Sequence, residues 1–173
     1  MKKVIFILLI SLFGIASYAQ EGIKLGIQAG LPYNDFNDIS SVMVGADFGY
    51  MRALGEVVDL GVMTGIVHGF PKTFVFEEVG VEIEDNEAID FIPLALSIRI
   101  WPSQDFSFGV DVGQAFGISD GNDGGLYFRP IIGYLFGTYT EINASHTTIK
   151  LDGASWTTIN FGILHTFKSK RTR

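Results

Sequence analysis

Ser145 and His146 stand side by side, and a serine next to a histidine invites comparison with the nucleophile and base of an acyl hydrolase acting on membrane lipid. That chemistry needs the hydroxyl and the imidazole within hydrogen-bond reach, and an acid to orient the ring. The residues around them alternate as a β-strand does, and neighbouring strand residues point to opposite faces. Ser145 and His146 therefore cannot form the pair directly. Thr148 shares the face of His146, but no nearby carboxylate does. His68, His146 and His165 are read as polar or interfacial strand residues.

Asp120, Gly121, Asn122, Asp123, Gly124 and Gly125 have some of the look of a calcium loop. An EF-hand needs an oxygen ligand where Gly124 stands and a later glutamate that is missing, so the segment reads as a turn. Segment 71–87 is the most acidic part of the chain, with Glu77, Glu78, Glu82, Glu84, Asp85 and Glu87. It would attract a divalent cation or a basic extracellular partner, and it also suits a solvated, charge-protected hairpin. There is no cysteine, which removes thiolate chemistry, disulfides and Cys-ligated zinc. No catalytic, metal-binding or cofactor-binding residue is assigned, no cofactor is expected, and the chain is read as no enzyme.

The remaining charges fall into a pattern. Lys24, Asp47, Asp59, Arg99, Asp111, Arg129 and Glu141 each occupy the small or polar parity of an alternating segment. Segment 106–136 displays this best. Phe106, Phe108, Val110 and Val112 alternate with Ser107, Gly109, Asp111 and Gly113. After the turn at 119–125, Leu126, Phe128, Ile132, Tyr134 and Phe136 share one face, opposite Tyr127, Arg129 and Gly133, with Ile131 and Leu135 as apolar exceptions. This is an antiparallel hairpin with a large-apolar face and a small-polar face.

The same period of two recurs at 23–29, 42–51, from Val57 onward, 91–101, 140–151 and after 155. Eight strands result, with no convincing amphipathic helix. Connections around 31–40, 71–87, 119–125 and 152–155 alternate with tight ones at 53–56, 102–105 and 137–139. The expected fold is all-β, an eight-stranded antiparallel up-and-down transmembrane β-barrel, with long loops outside and short turns in the periplasm. Aromatics gather at both strand ends as two interfacial belts. Tyr50, Trp101, Phe106, Tyr134, Phe136, Tyr139 and Phe167 are expected in the short-turn belt; Tyr33, Phe36, Phe70, Phe91, Phe116, Tyr127, Phe128 and Trp156 in the loop belt. The seven charges would then fill the lumen and pair there, since an unpaired buried charge is costly. A soluble barrel would reverse the polarity and put them outside.

The N-terminus sets the compartment. Lys2 and Lys3 precede an apolar run over 4–16, and Ser17-Tyr18-Ala19 places small residues at a cleavage site. Residues 1–19 thus read as a secretory signal peptide cleaved after Ala19. Residues 20–167 form the outer-membrane barrel, and 168–173 a basic periplasmic tail. Loss of Lys2 and Lys3 moves the net charge from −7 to −9, which argues against a nucleic-acid partner.

The segments IKLGIQAGLPYNDF, DFIPLALSIRIWP, FSFGVDVGQAFGISDGNDGGLYFRPIIGY and LDGASWTTINFGILHTF resemble the Bacteroidetes outer-membrane β-barrel domain family, PorT-like within the OmpA/OmpX-type barrels. The resemblance covers most of the mature chain. It implies outer-membrane lipid and the barrel-assembly machinery as partners. In such proteins a terminal aromatic on the last strand is the assembly signal, and Phe167 matches it, with Phe161 and Gly162 upstream. His165 and the tail after Phe167 depart from the pattern.

The function expected is a small integral outer-membrane barrel with a structural or surface-interaction role and a lumen filled by paired charges. The competing readings are a narrow, porin-like pore for small solutes, a lipid-modifying enzyme, and a soluble periplasmic barrel for an apolar ligand.

Overall fold

The computed structural model describes residues 20–36, 38–72, 74–76, 81–83, 88–119 and 121–168. Among the described residues there are ten strands: β1 (Gly22–Tyr33), β2 (Ser40–Ala53), β3 (Val58–Pro71), β4 (Phe74–Phe76), β5 (Val81–Ile83), β6 (Ile89–Ile100), β7 (Phe106–Gly117), β8 (Gly125–Phe136), β9 (Thr140–Leu151) and β10 (Ala154–Lys168). Eight of them close into one barrel in the order β1-β10-β9-β8-β7-β6-β3-β2. Every pairing is antiparallel, so consecutive barrel strands are neighbours and β1 closes against β10. β4 and β5 form a separate two-stranded hairpin on the connection from β3 to β6. Both strands fall within segment 71–87, which was expected to suit a hairpin. The signal-peptide segment 1–19, the tail beyond Lys168, and Glu77, Glu78, Glu84, Asp85, Glu87 and Asp120 lie outside the described residues.

Alternation is what makes the barrel. In β6 every second residue from Phe91 to Arg99 is buried, and Ile92, Leu94, Leu96, Ile98 and Ile100 are exposed. The same holds around the circumference: Ile27, Leu96 and Phe161 are 67%, 65% and 68% exposed, whereas Lys24, Arg99 and Asp111 are 3%, 3% and 0% exposed. A water-soluble monomer rarely exposes a continuous apolar surface of this kind. In lipid it is the required arrangement, because closure also leaves no unpaired strand edge. The polarity of the hairpin of β7 and β8 is therefore that of a membrane barrel: Phe108, Ile132 and Tyr134 point out, Asp111 and Arg129 point in.

Pro32 and Pro71 lie at strand ends, and Pro93 and Pro130 sit in strand interiors. Pro93 pairs with Ala115 of β7 and Pro130 with Val110 of the same strand. On their other sides the ladders skip, between Thr64 and Val67 of β3 and between Ser145 and Thr148 of β9. Lacking an N–H, each proline leaves a gap in the ladder facing away from β7. Pro93 is the fifth residue of β6. The turns follow their residue chemistry: Gly137 (φ 76°) and Gly153 (φ 84°) adopt the left-handed region that a tight hairpin turn needs.

The aromatic belts require a correction. Tyr50, Phe106, Tyr134, Phe136, Tyr139 and Phe167 are exposed at the end where β1 begins and β10 ends, and Phe70, Phe116 and Phe128 at the opposite end. Both tryptophans, however, are fully buried inside the barrel, as are Phe91 and Tyr127. The physical reason is parity. Trp101 and Phe91 share the inward parity of Arg99, Tyr127 that of Arg129, and Trp156 that of Asn160. Position near a strand end does not override it.

Candidate functional site

The lumen has three tiers. At the loop end Met43, Val67, Phe91, Ala95, Ala115, Tyr127, Ile149 and Trp156 make one buried apolar cluster, with Phe36, Ile89 and Leu151 packed on it. The Trp156 ring lies 5.2 Å from Phe36 and 5.8 Å from Phe91, tilted or edge-on to both. This is a hydrophobic plug inside a membrane barrel. Above it, Ala88, Ile89, Ser119, Asn122 and Lys150 border a surface cavity of about 460 Å³.

The middle tier is a charge bridge. Arg129 Nε and Nη2 donate to Asp111 Oδ2 at 3.0 and 2.7 Å. Its Nη1 donates to both oxygens of Asp47, at 3.1 and 3.0 Å. Asp111 Oδ1 in turn accepts from Arg99 Nη1 at 3.0 Å and from Ser97 Oγ at 2.5 Å. Gln28 Nε2 donates to Asp47 at 3.1 Å. β2 and β8 are diametrically opposed in the strand order, so the Asp47 to Arg129 contact crosses the lumen. Two guanidiniums and two carboxylates are paired through these bonds, the condition for holding charge in a low-dielectric interior, while Arg99 Nε is buried without a partner among the described residues.

Room for these side chains comes from small neighbours. A Cβ on Gly109 would stand 2.4 Å from Arg99 Cδ, and one on Gly133 would meet Ser107 Oγ at 2.3 Å and the Glu141 carboxyl at 2.5 Å. One on Gly69 would strike the Trp156 ring at 2.4 Å. Arg99 and Glu141 thus lie against glycines on adjacent strands, and Trp156 of β10 reaches across the lumen to Gly69 of β3.

The third tier lies at the end where β1 begins and β10 ends. Trp101 Nε1 and the backbone N–H of Gln20 both donate to Asp59 Oδ2, at 2.8 and 3.0 Å. Lys24 Nζ donates to Thr166 Oγ1 at 2.7 Å, and Ser107 Oγ to Glu141 Oε2 at 3.0 Å. Asp59 Oδ1 and Glu141 Oε1 are buried with no hydrogen-bond partner among the described residues.

All seven charges singled out from sequence are lumenal. The structure joins Asp47, Asp111, Arg99 and Arg129 in one network and keeps Lys24, Asp59 and Glu141 apart from it. Gln20, Ser97, Trp101, Ser107 and Thr166 also hold the charges. All but Gln20 carried the same parity signal; only the cross-lumen reach of Arg129 needed three dimensions.

The other chemical candidates resolve differently. Ser145 is inside and buried, while His146 is outside, hydrogen-bonded through Nε2 to the Tyr33 hydroxyl. His68 Nδ1 lies 2.6 Å from Asp90 Oδ1, and His165 Nδ1 lies 2.9 Å from Thr140 Oγ1 with its ring 4.7 Å from Phe167. Asn122 caps its own turn by accepting from Gly124 N at 3.0 Å. Among the described residues no three histidine, cysteine or carboxylate groups come together as a metal site. Phe161 and Phe167 are exposed on the outer face of β10, with Gly162 between them in sequence.

Neither family models nor curated proteins give a match to this chain. Solved structures do. The crystal structure of Ail, the attachment invasion locus protein of Yersinia pestis, superposes with a TM-score of 0.57 at 15% identity, over 88% of this chain and 100% of that one. The same protein in a phospholipid bilayer nanodisc gives 0.51 at 16% identity, over 85% and 100%. A de novo designed transmembrane β-barrel gives 0.53 at 12% identity, over 86% and 98%. The fold is that of the small, closed, eight-stranded transmembrane β-barrels.

Proposed function

We propose that this chain is an integral outer-membrane barrel of the Bacteroidetes type it resembles in sequence, exported by a cleaved signal peptide, with a non-conducting lumen. Its role is structural or surface-interacting rather than enzymatic. The observation that carries this reading is the Asp47–Arg129–Asp111–Arg99 bridge across the barrel, backed by the apolar plug. An ion would have to displace paired charges and then cross a dry cluster. Ser145 and His146 lie on opposite faces of β9, which supports the non-enzymatic reading. The acidic segment 71–87 offers charge complementarity to a basic extracellular partner. Phe167, with Phe161 and Gly162, is the signal offered to the assembly machinery, and lipid is the partner of the outer face.

Membrane fractionation and planar-bilayer recording test the proposal. Carbonate-washed outer membranes should retain the protein, and the purified barrel should give no steady single-channel current. A steady current would establish the narrow-pore reading instead. Release by carbonate would mean a soluble barrel.

A further inference from the structure

Gln20 is tied down more firmly than a residue outside any strand needs to be. Its backbone nitrogen donates to Asp59 Oδ2 at 3.0 Å. Its side-chain oxygen accepts from Thr166 Oγ1 at 2.9 Å, and its side-chain nitrogen donates to the Thr138 carbonyl at 3.2 Å. These anchors belong to β3, to β10 and to the turn between β8 and β9, so one residue spans the mouth of the barrel. Asp59 itself is fully buried, and its second oxygen has no partner among the described residues. Among the described residues the lumen holds four carboxylates (the buried Asp59, Asp111 and Glu141, and the partly exposed Asp47) and three buried cations (Lys24, Arg99, Arg129). It is one positive charge short.

We propose that cleavage of the Ala19–Gln20 amide supplies that charge: the new α-ammonium of Gln20 pairs with Asp59 and seals the terminal end of the lumen. The step is a hydrolysis by a signal peptidase. Water adds across the amide, Ala19 leaves with a carboxylate, and the Gln20 nitrogen becomes an amine that takes up a proton. Before cleavage that nitrogen is an amide with one hydrogen, already given to Oδ2. After cleavage it has three donors, enough to serve both oxygens of Asp59. The precursor lumen thus carries an uncompensated carboxylate, and the mature lumen is neutral. Processing and closure of the barrel mouth become one event.

The pairing also protects the terminus chemically. A free N-terminal glutamine attacks its own side-chain amide carbon, forming a C–N bond and expelling ammonia to leave a neutral lactam. A protonated nitrogen held by Asp59 has no lone pair for that attack.

The test uses the full precursor expressed in cells and the barrel recovered in outer membranes. At neutral pH an amine-reactive ester favours an α-amine (pKa about 8) over lysine (about 10). The N-terminal peptide is then quantified by mass spectrometry after labelling the folded and the heat-unfolded protein. The expected result is a chain beginning at Gln20, labelled on the order of tenfold or more slowly when folded, the scale of a hydrogen bond to a charged group. Asp59→Asn should bring folded labelling to the unfolded rate. If Asp59→Asn does not fold, one glycine inserted between Ala19 and Gln20 displaces the ammonium and should abolish protection. A chain that begins elsewhere, a lactam-blocked terminus in the folded wild type, equal labelling folded and unfolded, or protection that survives displacement would each overturn the proposal.

Discussion

Arg129→Met removes the centre of the lumen bridge. Arg129 makes two contacts to Asp111 and two to Asp47, at 2.7 to 3.1 Å. Deleting one member of a buried ion pair costs about 3–5 kcal/mol, mostly for the charge left behind. Here the two carboxylates lose different amounts. Asp111 keeps Arg99 at 3.0 Å and Ser97 at 2.5 Å. Asp47 keeps only Gln28 at 3.1 Å, but its side chain is 12% exposed. Partial compensation on both sides puts the loss at the lower end, about 3 kcal/mol. Arg129→Met with Asp47→Leu restores charge balance, leaving Arg99 and Asp111 as an intact pair. The double variant should recover at least about 1 kcal/mol over Arg129→Met alone, a coupling normal for direct contacts. The assay is guanidinium unfolding in lipid vesicles, read by heat-modifiable gel mobility and linear extrapolation. The reasoning fails if Arg129→Met lies within about 0.5 kcal/mol of wild type. It fails equally if the double variant is no more stable than the single one.

Gly109→Ala should destabilise by about 1–3 kcal/mol, because its Cβ meets Arg99 at 2.4 Å, whereas Gly55→Ala, with nothing within 4 Å, should not; the same unfolding assay separates them. Leu96→Arg, outward and deep in β6, should cost about 2–4 kcal/mol, and Leu126→Arg, at the rim of β8, about 0–1 kcal/mol. Equal costs would contradict the depth of the lipid face. Because Trp101 and Trp156 are both lumenal, brominated lipids should quench the folded barrel's fluorescence only weakly, and strong quenching would put a tryptophan in lipid.

Much of the barrel was legible because its signal is local. Alternation at 23–29 or 91–101 says strand, and the parity of Lys24 or Arg99 says which face. The eight strands and the lumenal placement of all seven charges follow from that alone. The plug was missed for a specific reason. Trp156, Phe91 and Tyr127 were assigned by their nearness to strand ends, where lipid-facing aromatics also gather, although their parity already pointed inward. The partner of Arg129 was hidden for a different reason. Asp111 is its cross-strand neighbour in the β7 to β8 register, but Asp47 meets it only because barrel closure brings β2 opposite β8. No spacing along the chain encodes a diameter.

The glycines set against large lumen side chains have a consequence for how strands find their partners. The outer face constrains pairing only modulo two: slide β7 by two residues along β6, and Ile98 exchanges Val110 for Phe108 or Val112, apolar in every case. Lipid cannot tell these alignments apart. The interior can, since Arg99 would exchange the space over Gly109 for Ser107 or Asp111 and lose the geometry that joins it to the bridge. The sequence facing lipid therefore sets which side of each strand is out, and the residues facing inward act as the proofreader of its alignment.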